Sequence, residues 1–265
     1  MGGQIRRLPD GPREADGDAV EVGSGIRAPG GVWTFGEDTP RRFDDHVAGS
    51  IPAYAECHEL VVDIADQLVP PGGRCYDLGC STGALTARLA GLLAPRGAEV
   101  IGVDREPGMI KAATERCSGL ASVRFEVSAL EDANIETADL AVCFYTLQFV
   151  PRRQRQAVLT RIHRALAPAG ALILFEKILA PTAHAQDLSV GVYADFKRRR
   201  GFTDDEIAAK ARSLRGVLQP LPAEQNDAML RRGGFTELVR VFRWMIFDGV
   251  IAYAAPGPAQ PRPDR

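Results

Sequence analysis

Two glycines and two acids in the first half of the chain have the types and spacing of a small-molecule site. Asp77, Gly79 and Gly83 belong to the run YDLGCSTG, which follows an apolar stretch and precedes a helical pattern. Glycines there let the backbone turn sharply and approach a ligand, because they carry no Cβ atom. Asp104 ends the next apolar stretch, where a carboxylate can accept hydrogen bonds from both hydroxyls of a ribose. The pattern predicts an adenosine-containing ligand.

The glycine loop also limits which adenosine ligand fits. It has one glycine fewer than the dinucleotide fingerprint G-x-G-x-x-G, which accommodates a pyrophosphate. A methionine-type amino acid attached to adenosine suits the loop better. The alternative interpretation is a glycine-rich turn and a helix-capping aspartate without a ligand.

A parallel sheet must position this loop. Short apolar runs rich in β-branched residues alternate with helical patterns, which is typical of βα units. We predict an α/β fold with a doubly wound, mostly parallel, seven-stranded Rossmann-like sheet that ends in an antiparallel hairpin. The predicted strands are residues 74–78, 99–104, 123–127, 140–145, 171–176, 238–242 and 244–253.

Helices are predicted between the strands. The first spans residues 55–68, where apolar side chains recur on one face. Further helices begin near Gly83, Pro107, Pro151 and Asp187. Residues 205–218 are mostly polar, yet apolar side chains recur there at helical spacing. We predict that this segment is a lid over the site or an arm toward a second subunit.

Composition sets the boundaries of one domain and excludes some partners. Residues 1–30 and 256–265 are predicted to be disordered, because they are rich in glycine, proline and charge. The domain spans residues 31–255 and carries a helical insert at about 187–232.

With 32 basic and 34 acidic side chains, the net charge is −2. That balance gives no overall attraction for nucleic acid or an anionic membrane, so we expect a small-molecule substrate.

Cysteine and histidine positions argue against a metal site. The five cysteines form no CxxC pair, and His58, His163 and His184 have no ligand partner at suitable spacing. No apolar run approaches the roughly 20 residues that span a bilayer, and the N-terminus lacks the apolar core of a signal peptide. We expect a reduced, cytoplasmic protein without a metal ion.

Taken together, the motifs resemble class I S-adenosylmethionine-dependent methyltransferases. The nearer similarity is to the carboxy-S-adenosylmethionine synthases, which serve tRNA wobble-uridine modification, and it extends over about residues 35–253. It is carried by Phe43-Asp44-Asp45, Ser50-Ile51-Pro52-Ala53-Tyr54, residues 76–83, Thr146-Leu147-Gln148-Phe149, Glu176-Lys177 and Asp195-Phe196-Lys197-Arg198. The resemblance implies S-adenosylmethionine as the cofactor and a homodimer.

The loop, Asp104 and the resemblance together predict a set of cofactor-binding residues. The set is Tyr54, Asp77, Gly79, Cys80, Ser81, Gly83, Asp104, Arg105, Met109, Ala129, Leu130 and Phe144. Candidate catalytic residues are His46, Glu176 and Tyr145, and candidate substrate-binding residues are Tyr145 and Arg212.

Three positions depart from the synthase pattern. In the synthases, an arginine after the lysine of the lid helix receives the added carboxylate of the cofactor. Here that place is Ala211, and Arg212 lies one residue further, about 100° around the helix. The synthase Gly-Asp-Ile of the adenine pocket is Ser128-Ala129-Leu130, and an asparagine of the fourth strand is Phe144. A methyl group cannot hold a carboxylate, so we predict that this chain does not make carboxy-S-adenosylmethionine from prephenate.

We interpret the chain as an S-adenosylmethionine-dependent methyltransferase that acts on a small-molecule acceptor, uncharged or aromatic. Alignment of acceptor, methyl group and sulfur would supply most of the catalysis. One alternative is a carboxy-S-adenosylmethionine synthase in which Arg212, or an arginine of a partner subunit, replaces the missing one. Another is a cofactor-binding protein without catalytic activity.

Several side chains have a structural interpretation beside the functional one. The run Lys197–Arg200 either binds a nucleic acid or an anionic substrate, or is a solvated helix end. Glu176, predicted to face the crevice, orients a substrate or binds a basic side chain. His46 is a general base or a surface histidine. Two interpretations also apply to three aromatic residues, which either cap the cofactor or pack in the core: Trp33, Phe35 and Phe43.

Overall fold

A seven-stranded sheet organises the chain in the computed structural model, which describes residues 20–21, 27–28 and 39–254. The strands are β3 (Arg74–Leu78), β4 (Glu99–Asp104), β5 (Val123–Val127), β6 (Ala138–Phe144), β7 (Leu166–Lys177), β8 (Glu237–Trp244) and β9 (Phe247–Tyr253). Their order is β5-β4-β3-β6-β7-β9-β8, and β9 is antiparallel to both of its neighbours. The predicted fold class is confirmed.

Helices cover both faces of this sheet. Those in the described residues are α1 (Thr39–Ser50), α2 (Tyr54–Leu68), α3 (Ala84–Leu93), α4 (Pro107–Arg116), α5 (Arg152–Ala165), α6 (Ala183–Arg199), α7 (Asp204–Ser213) and α8 (Ala223–Gly233). Alternate residues of the central strands enter two hydrophobic clusters, so Tyr76 and Leu78 pack in one and Cys75 in the other. Burial on both faces explains why these strands are continuously apolar in the sequence.

The boundaries of β3, β4 and β5 follow the prediction, whereas β6 and β7 begin at Ala138 and Leu166, two and five residues before their predicted starts. β6 stops at Phe144, because Tyr145 adopts a left-handed backbone with φ of 59°. β7 extends to Lys177, which pairs with Phe247 of β9. The predicted break between the last two strands is wrong by two residues, because Trp244 belongs to β8. The turn falls at Met245, with φ of 46°, where no glycine or asparagine marks it.

Helix caps account for the remaining differences in the second half of the chain. α6 begins before the predicted Asp187, because the Thr182 hydroxyl accepts the backbone N–H of Ala185 at 3.1 Å. α7 begins with a capping box in which Thr203 and Glu206 satisfy each other's backbone N–H groups.

The N-terminal region contains elements that the sequence analysis did not predict. α1 is one, and β1 (Val20–Glu21) pairs with β2 (Arg27–Ala28) inside the stretch predicted to be disordered. The predictions for Trp33, Phe35, the rest of residues 1–30 and the tail 256–265 lie outside the described residues.

Candidate active site

A cavity of about 240 Å³ opens beyond the carboxyl ends of β3, β4, β6 and β7. Strand ends and loops line one part of it, and residues of α1, α2, α3, α4, α6 and α7 contribute the rest. This is the place where doubly wound sheets bind ligands.

The loop after β3 is held in a shape that requires glycine. Gly79, Ser81 and Gly83 all have positive φ angles, of 86°, 51° and 74°. A Cβ atom on Gly79 would lie 2.2 Å from Cγ2 of Thr146, so no larger residue fits there. The Gly79 N–H donates to the carbonyl of Val103 at 2.7 Å, which ties the loop to β4. The loop therefore presents its backbone to the cavity.

Two buried acids support this loop. Asp77 accepts a hydrogen bond from the Thr86 hydroxyl at 2.6 Å, and burial raises the pKa of Asp77 to about 6. Asp104 accepts the backbone N–H groups of Ser81 at 2.9 Å and Glu106 at 3.0 Å, one on each oxygen. Burial raises the pKa of Asp104, and the backbone donors oppose that rise. Each Asp104 oxygen keeps a lone pair for a ribose hydroxyl.

An aromatic wall faces the loop. The His58 and Phe144 ring centroids are 4.7 Å apart, and Phe144 also packs against Tyr54 at 5.7 Å and Tyr145 at 5.0 Å. Burial lowers the pKa of His58 to about 4, so its ring is neutral at pH 7. The Tyr145 hydroxyl is buried without a hydrogen-bond partner in the described part of the chain.

Most predicted cofactor-binding residues line the cavity, and Gly83 and Ala129 do not. Gly83 caps the N-terminus of α3, where an added Cβ atom would lie 2.8 Å from Cβ of Ala113. The Ala129 carbonyl accepts the backbone N–H of Asp132 at 3.0 Å. Both residues therefore shape the loops around the cavity. Of the candidate cofactor cap, Phe43 lines the cavity.

The three candidate catalytic residues do not all lie in the cavity. His46 and Tyr145 line the cavity, whereas Glu176 lies behind it, 3% exposed. The Glu176 carboxylate accepts the backbone N–H of Gln148 at 3.1 Å, and burial raises the pKa of Glu176 to about 8 while Arg155 opposes the rise. Because successive residues of a strand point to opposite faces, Lys177 takes the place in the cavity that was predicted for Glu176.

The lid helix also presents a different residue from the predicted one. Arg212 is exposed and does not line the cavity, whereas Lys210 does. Two residues along a helix correspond to about 200° around its axis, which explains the difference. Lys210 Nζ contacts Nε2 of His46 and donates to Oγ of Ser50 at 3.0 Å. His46 is fully buried, so its interpretation as a surface histidine is wrong.

Sequence reasoning missed the lysines of this site. Lys177 and Lys210 line the cavity, and Lys197 is 5% exposed, so the solvated-helix-end interpretation fits Arg198–Arg200 but not Lys197. The amino-acid composition could have pointed to these lysines, because lysine is rare in this chain and arginine is common.

Neither a membrane helix nor a metal cluster is found in the described residues. Every helix there is too short or too polar to cross a bilayer. No group of three or more histidine, cysteine, aspartate or glutamate side chains in that part could hold a metal ion.

Comparison with known proteins identifies the family. Residues 76–170 match the model of a methyltransferase domain. A carboxy-S-adenosyl-L-methionine synthase of Methylococcus capsulatus is 35% identical over 222 residues, which cover 82% of this chain and 92% of that protein. The chain belongs to the carboxy-S-adenosyl-L-methionine synthase family. A synthase of Staphylococcus epidermidis is 33% identical over 83% of this chain and 96% of its own length.

Solved methyltransferase structures share the fold of this synthase-family chain. Human N-acetylserotonin methyltransferase in complex with S-adenosylmethionine has a TM-score of 0.56 and 17% identity, over 83% of this chain and 57% of that one. The N-methyltransferase NodS of Bradyrhizobium japonicum, bound to S-adenosylhomocysteine, has a TM-score of 0.51 and 18% identity, over 76% of this chain and 86% of that one. The chain is an enzyme with an S-adenosylmethionine-dependent methyltransferase domain, and its predicted cofactor is confirmed.

Proposed function

We propose that this enzyme transfers the sulfonium methyl group of S-adenosylmethionine to a small-molecule acceptor. One observation carries the proposal. The family position that would hold a carboxylate on the cofactor is Ala211, which is exposed on α7, while the cofactor loop and Asp104 are intact. A site without that cation suits the unmodified cofactor.

The chain's own residues fit the cofactor in two parts. We assign the ribose hydroxyls to Asp104 and the amino-acid end to the glycine loop at residues 79–83. Met109 and Leu130 line the same side as Asp104 and suit the adenine ring. Tyr54 and Phe144 form the wall beside the sulfur, where aromatic rings stabilise a cation.

Catalysis in this proposal depends on alignment. The cofactor supplies an electrophilic methyl group. With S-adenosylmethionine held by the loop at residues 79–83 and Asp104, an acceptor lone pair would take up that methyl group and S-adenosylhomocysteine would be the other product. The aromatic wall excludes water, and the walls of the cavity hold the acceptor in line with the sulfur. A general base is dispensable when the acceptor atom is already nucleophilic.

A second candidate is the synthesis of carboxy-S-adenosylmethionine, the activity named for the relatives. The structure offers one observation in its favour. Lys177 lines the cavity, so a cation is present even though the family arginine is replaced. In that case a lysine would face the added carboxylate.

Mass spectrometry of the nucleoside product separates the two candidates. The enzyme is incubated with S-adenosylmethionine alone, with prephenate, or with a pool of small-molecule metabolites. Formation of S-adenosylhomocysteine that depends on the metabolite pool supports methyl transfer. Formation of carboxy-S-adenosylmethionine with prephenate contradicts our first candidate and establishes the second.

We further propose one domain over residues 31–255, with the helical insert at 187–232, and a homodimer in the cytoplasm. All five cysteines are free, buried thiols, which supports a reducing compartment. Leu188 and Val190 of α6 are 56% and 53% exposed, and such apolar exposure supports a subunit contact at the insert.

A further inference from the structure

Three of the four lysines in the chain meet at one end of the cavity. The chain has 28 arginines, so its basic surface is built almost entirely without lysine. Lys177 comes from the end of β7, Lys197 from α6 and Lys210 from α7. Lys111, the fourth, is exposed on α4. Residues from three separate elements thus bring compact cations to one place.

The three ammonium groups surround Tyr193 and Ser50, which both line the cavity. Nζ of Lys177 and Nζ of Lys197 lie 4.6 Å and 4.5 Å from the centroid of the Tyr193 ring. The Tyr193 hydroxyl donates to the backbone carbonyl of Ser50 at 2.8 Å, and Lys210 donates to the Ser50 hydroxyl. Lys177 and Lys210 line the cavity, whereas Lys197 does not and lies behind the ring.

The charge of Lys177 and Lys197 is poorly compensated within the described residues. Neither ammonium group forms an ion pair with a described carboxylate, and aromatic faces are their neighbours. Burial lowers the pKa of Lys177 and of Lys197 to about 8, and the charge of Lys197 contributes to the shift of Lys177. Burial lowers the pKa of Lys210 well below its ordinary value, and the charges of Lys197 and Lys177 add to that shift. Two like charges without a counter-ion are unfavourable in a buried site, so an anion entering the cavity would stabilise them.

The cavity wall beyond Lys177 is aromatic. Nζ of Lys177 lies 5.7 Å from the Phe247 ring, and Phe247 packs against Tyr145 at 5.9 Å. Tyr145 in turn packs against Phe144 beside the cofactor loop. A ligand with an anionic end at Lys177 would therefore lay an apolar body along this wall toward the cofactor.

We propose that Lys177 and Lys210 bind an oxyanion group of the acceptor, a carboxylate or a phosphate, while the apolar body of the acceptor lies along the aromatic wall. Lys197 is a positioning residue that adds positive charge from behind Tyr193. This inference rests on the proposed function, because it names the substrate class of the same site. It replaces the expectation of an uncharged acceptor with an anionic one.

Binding of matched probes to the full-length protein tests the inference. Calorimetry is carried out with saturating S-adenosylhomocysteine, and benzoate and phenyl phosphate are compared with benzamide, an uncharged probe of similar shape. We expect at least one anion to bind about tenfold or more tightly than benzamide, as for a charge-assisted contact. Preference for benzoate or for phenyl phosphate identifies the carboxylate or the phosphate as the better oxyanion.

Variants assign the effect to the lysines. Lys177→Met should weaken anion binding about tenfold or more and leave benzamide binding unchanged, whereas Lys177→Arg should retain most of the anion affinity. Lys197→Met should have a smaller effect in the same direction. Lys111→Met, which removes the exposed lysine, should match the unmodified protein. Equal anion affinity in Lys177→Met and the unmodified protein would overturn the inference.

Cofactor binding separates the failure of this inference from that of the proposed function. S-adenosylhomocysteine should bind Lys177→Met as it binds the unmodified protein, which also shows that the variant is folded. If S-adenosylhomocysteine binds and neither anion is preferred over benzamide, the lysine site is wrong and the proposed function stands. If S-adenosylhomocysteine does not bind the unmodified protein, the proposed function itself fails.

Discussion

At Asp104, one carboxylate shapes the cofactor loop and faces the position proposed for the ribose. It accepts backbone N–H groups from Ser81 and Glu106 and still has free lone pairs. Asp104→Ala should lower the affinity for S-adenosylhomocysteine by about tenfold to more than a hundredfold, because a charge-assisted contact is lost. Calorimetry measures this change. Glu106→Ala is the matched control, since it removes a neighbouring carboxylate and keeps the backbone N–H of residue 106 that donates to Asp104. Unchanged affinity in Asp104→Ala would contradict the ribose assignment.

The residues proposed to bind the cofactor could be predicted from the sequence because each lies in a local sequence pattern. The glycine loop follows a strand directly, and Asp104 ends the next strand, so chain order alone brings them together. Lys177 and Lys210 could not be placed in this way. One helix, α6, lies between them and Lys210 belongs to α7, so their meeting depends on how α6 and α7 fold back over the sheet. The misplacement of Glu176 has a smaller cause, because β7 continues for one more residue and its last residue, Lys177, points to the opposite face from Glu176.

At the scale of elements, one side chain of α1 is hydrogen-bonded to the cofactor loop. Asp44 accepts the Thr82 hydroxyl at 2.5 Å and pairs with the Arg116 guanidinium of α4. Phe43 and His46 of the same helix line the cavity, so movement of α1 would open it. We therefore expect these Asp44 contacts, named the latch below, to slow cofactor exchange.

Asp44→Ala should speed the dissociation of S-adenosylhomocysteine by about tenfold, because the latch loses a charged hydrogen bond. Stopped-flow displacement measures the rate. Asp45→Ala is the control, since Asp45 is the exposed neighbour on the same helix. Equal rates in Asp44→Ala and the unmodified protein would show that α1 does not limit exchange.

The elements themselves were predictable where periodicity is strong. β3, β4 and β5 have the predicted boundaries. β3 and β4 are short, largely buried runs, whereas β5 is an edge strand whose apolar residues alternate with Arg124 and Glu126. α1 was missed because its sequence, TPRRFDDHVAGS, is mostly polar, and its position depends on the Asp44 contacts. The start of α7 was readable from the Thr203–Glu206 capping box, whose spacing is a local signal.

For the whole molecule, Glu176 links stability to pH. Its pKa is raised to about 8 in the folded state from an ordinary value of 4.5, so the folded protein holds this proton more tightly than the unfolded chain. The stabilisation is complete below pH 4.5 and is lost as the pH rises toward 8. Within that window each pH unit costs up to about 1.4 kcal/mol from this group.

Glu176→Gln should remove this dependence, because the amide oxygen can still accept the Gln148 N–H and carries no charge. Urea unfolding of both proteins at pH 5, 6, 7 and 8 measures the effect. The free energy of unfolding of Glu176→Gln relative to the unmodified protein should increase toward pH 8. Asp77, whose pKa is also raised, is present in both proteins and cancels in the difference. Parallel pH curves would show that Glu176 does not titrate in this range.

The quaternary structure is a second property of the whole molecule. We expect a homodimer at micromolar concentration, and light scattering measures its mass. Leu188→Asp should shift the mass toward the monomer, because it places a charge on the exposed apolar surface of α6. Lys111→Asp, on the distant surface of α4, should not. A monomeric unmodified protein would contradict the expectation.

The insertion of β9 between β7 and β8 has a consequence for synthesis on the ribosome. Asp77, Asp104 and Phe144 are translated well before Phe247, which completes the wall beside Lys177. While β9 is still in the ribosomal exit tunnel, the edge of β7 has no partner, whereas the strands around the cofactor loop can already pair. We therefore expect the emerging chain to form the strands around the proposed cofactor site before it completes the proposed acceptor wall.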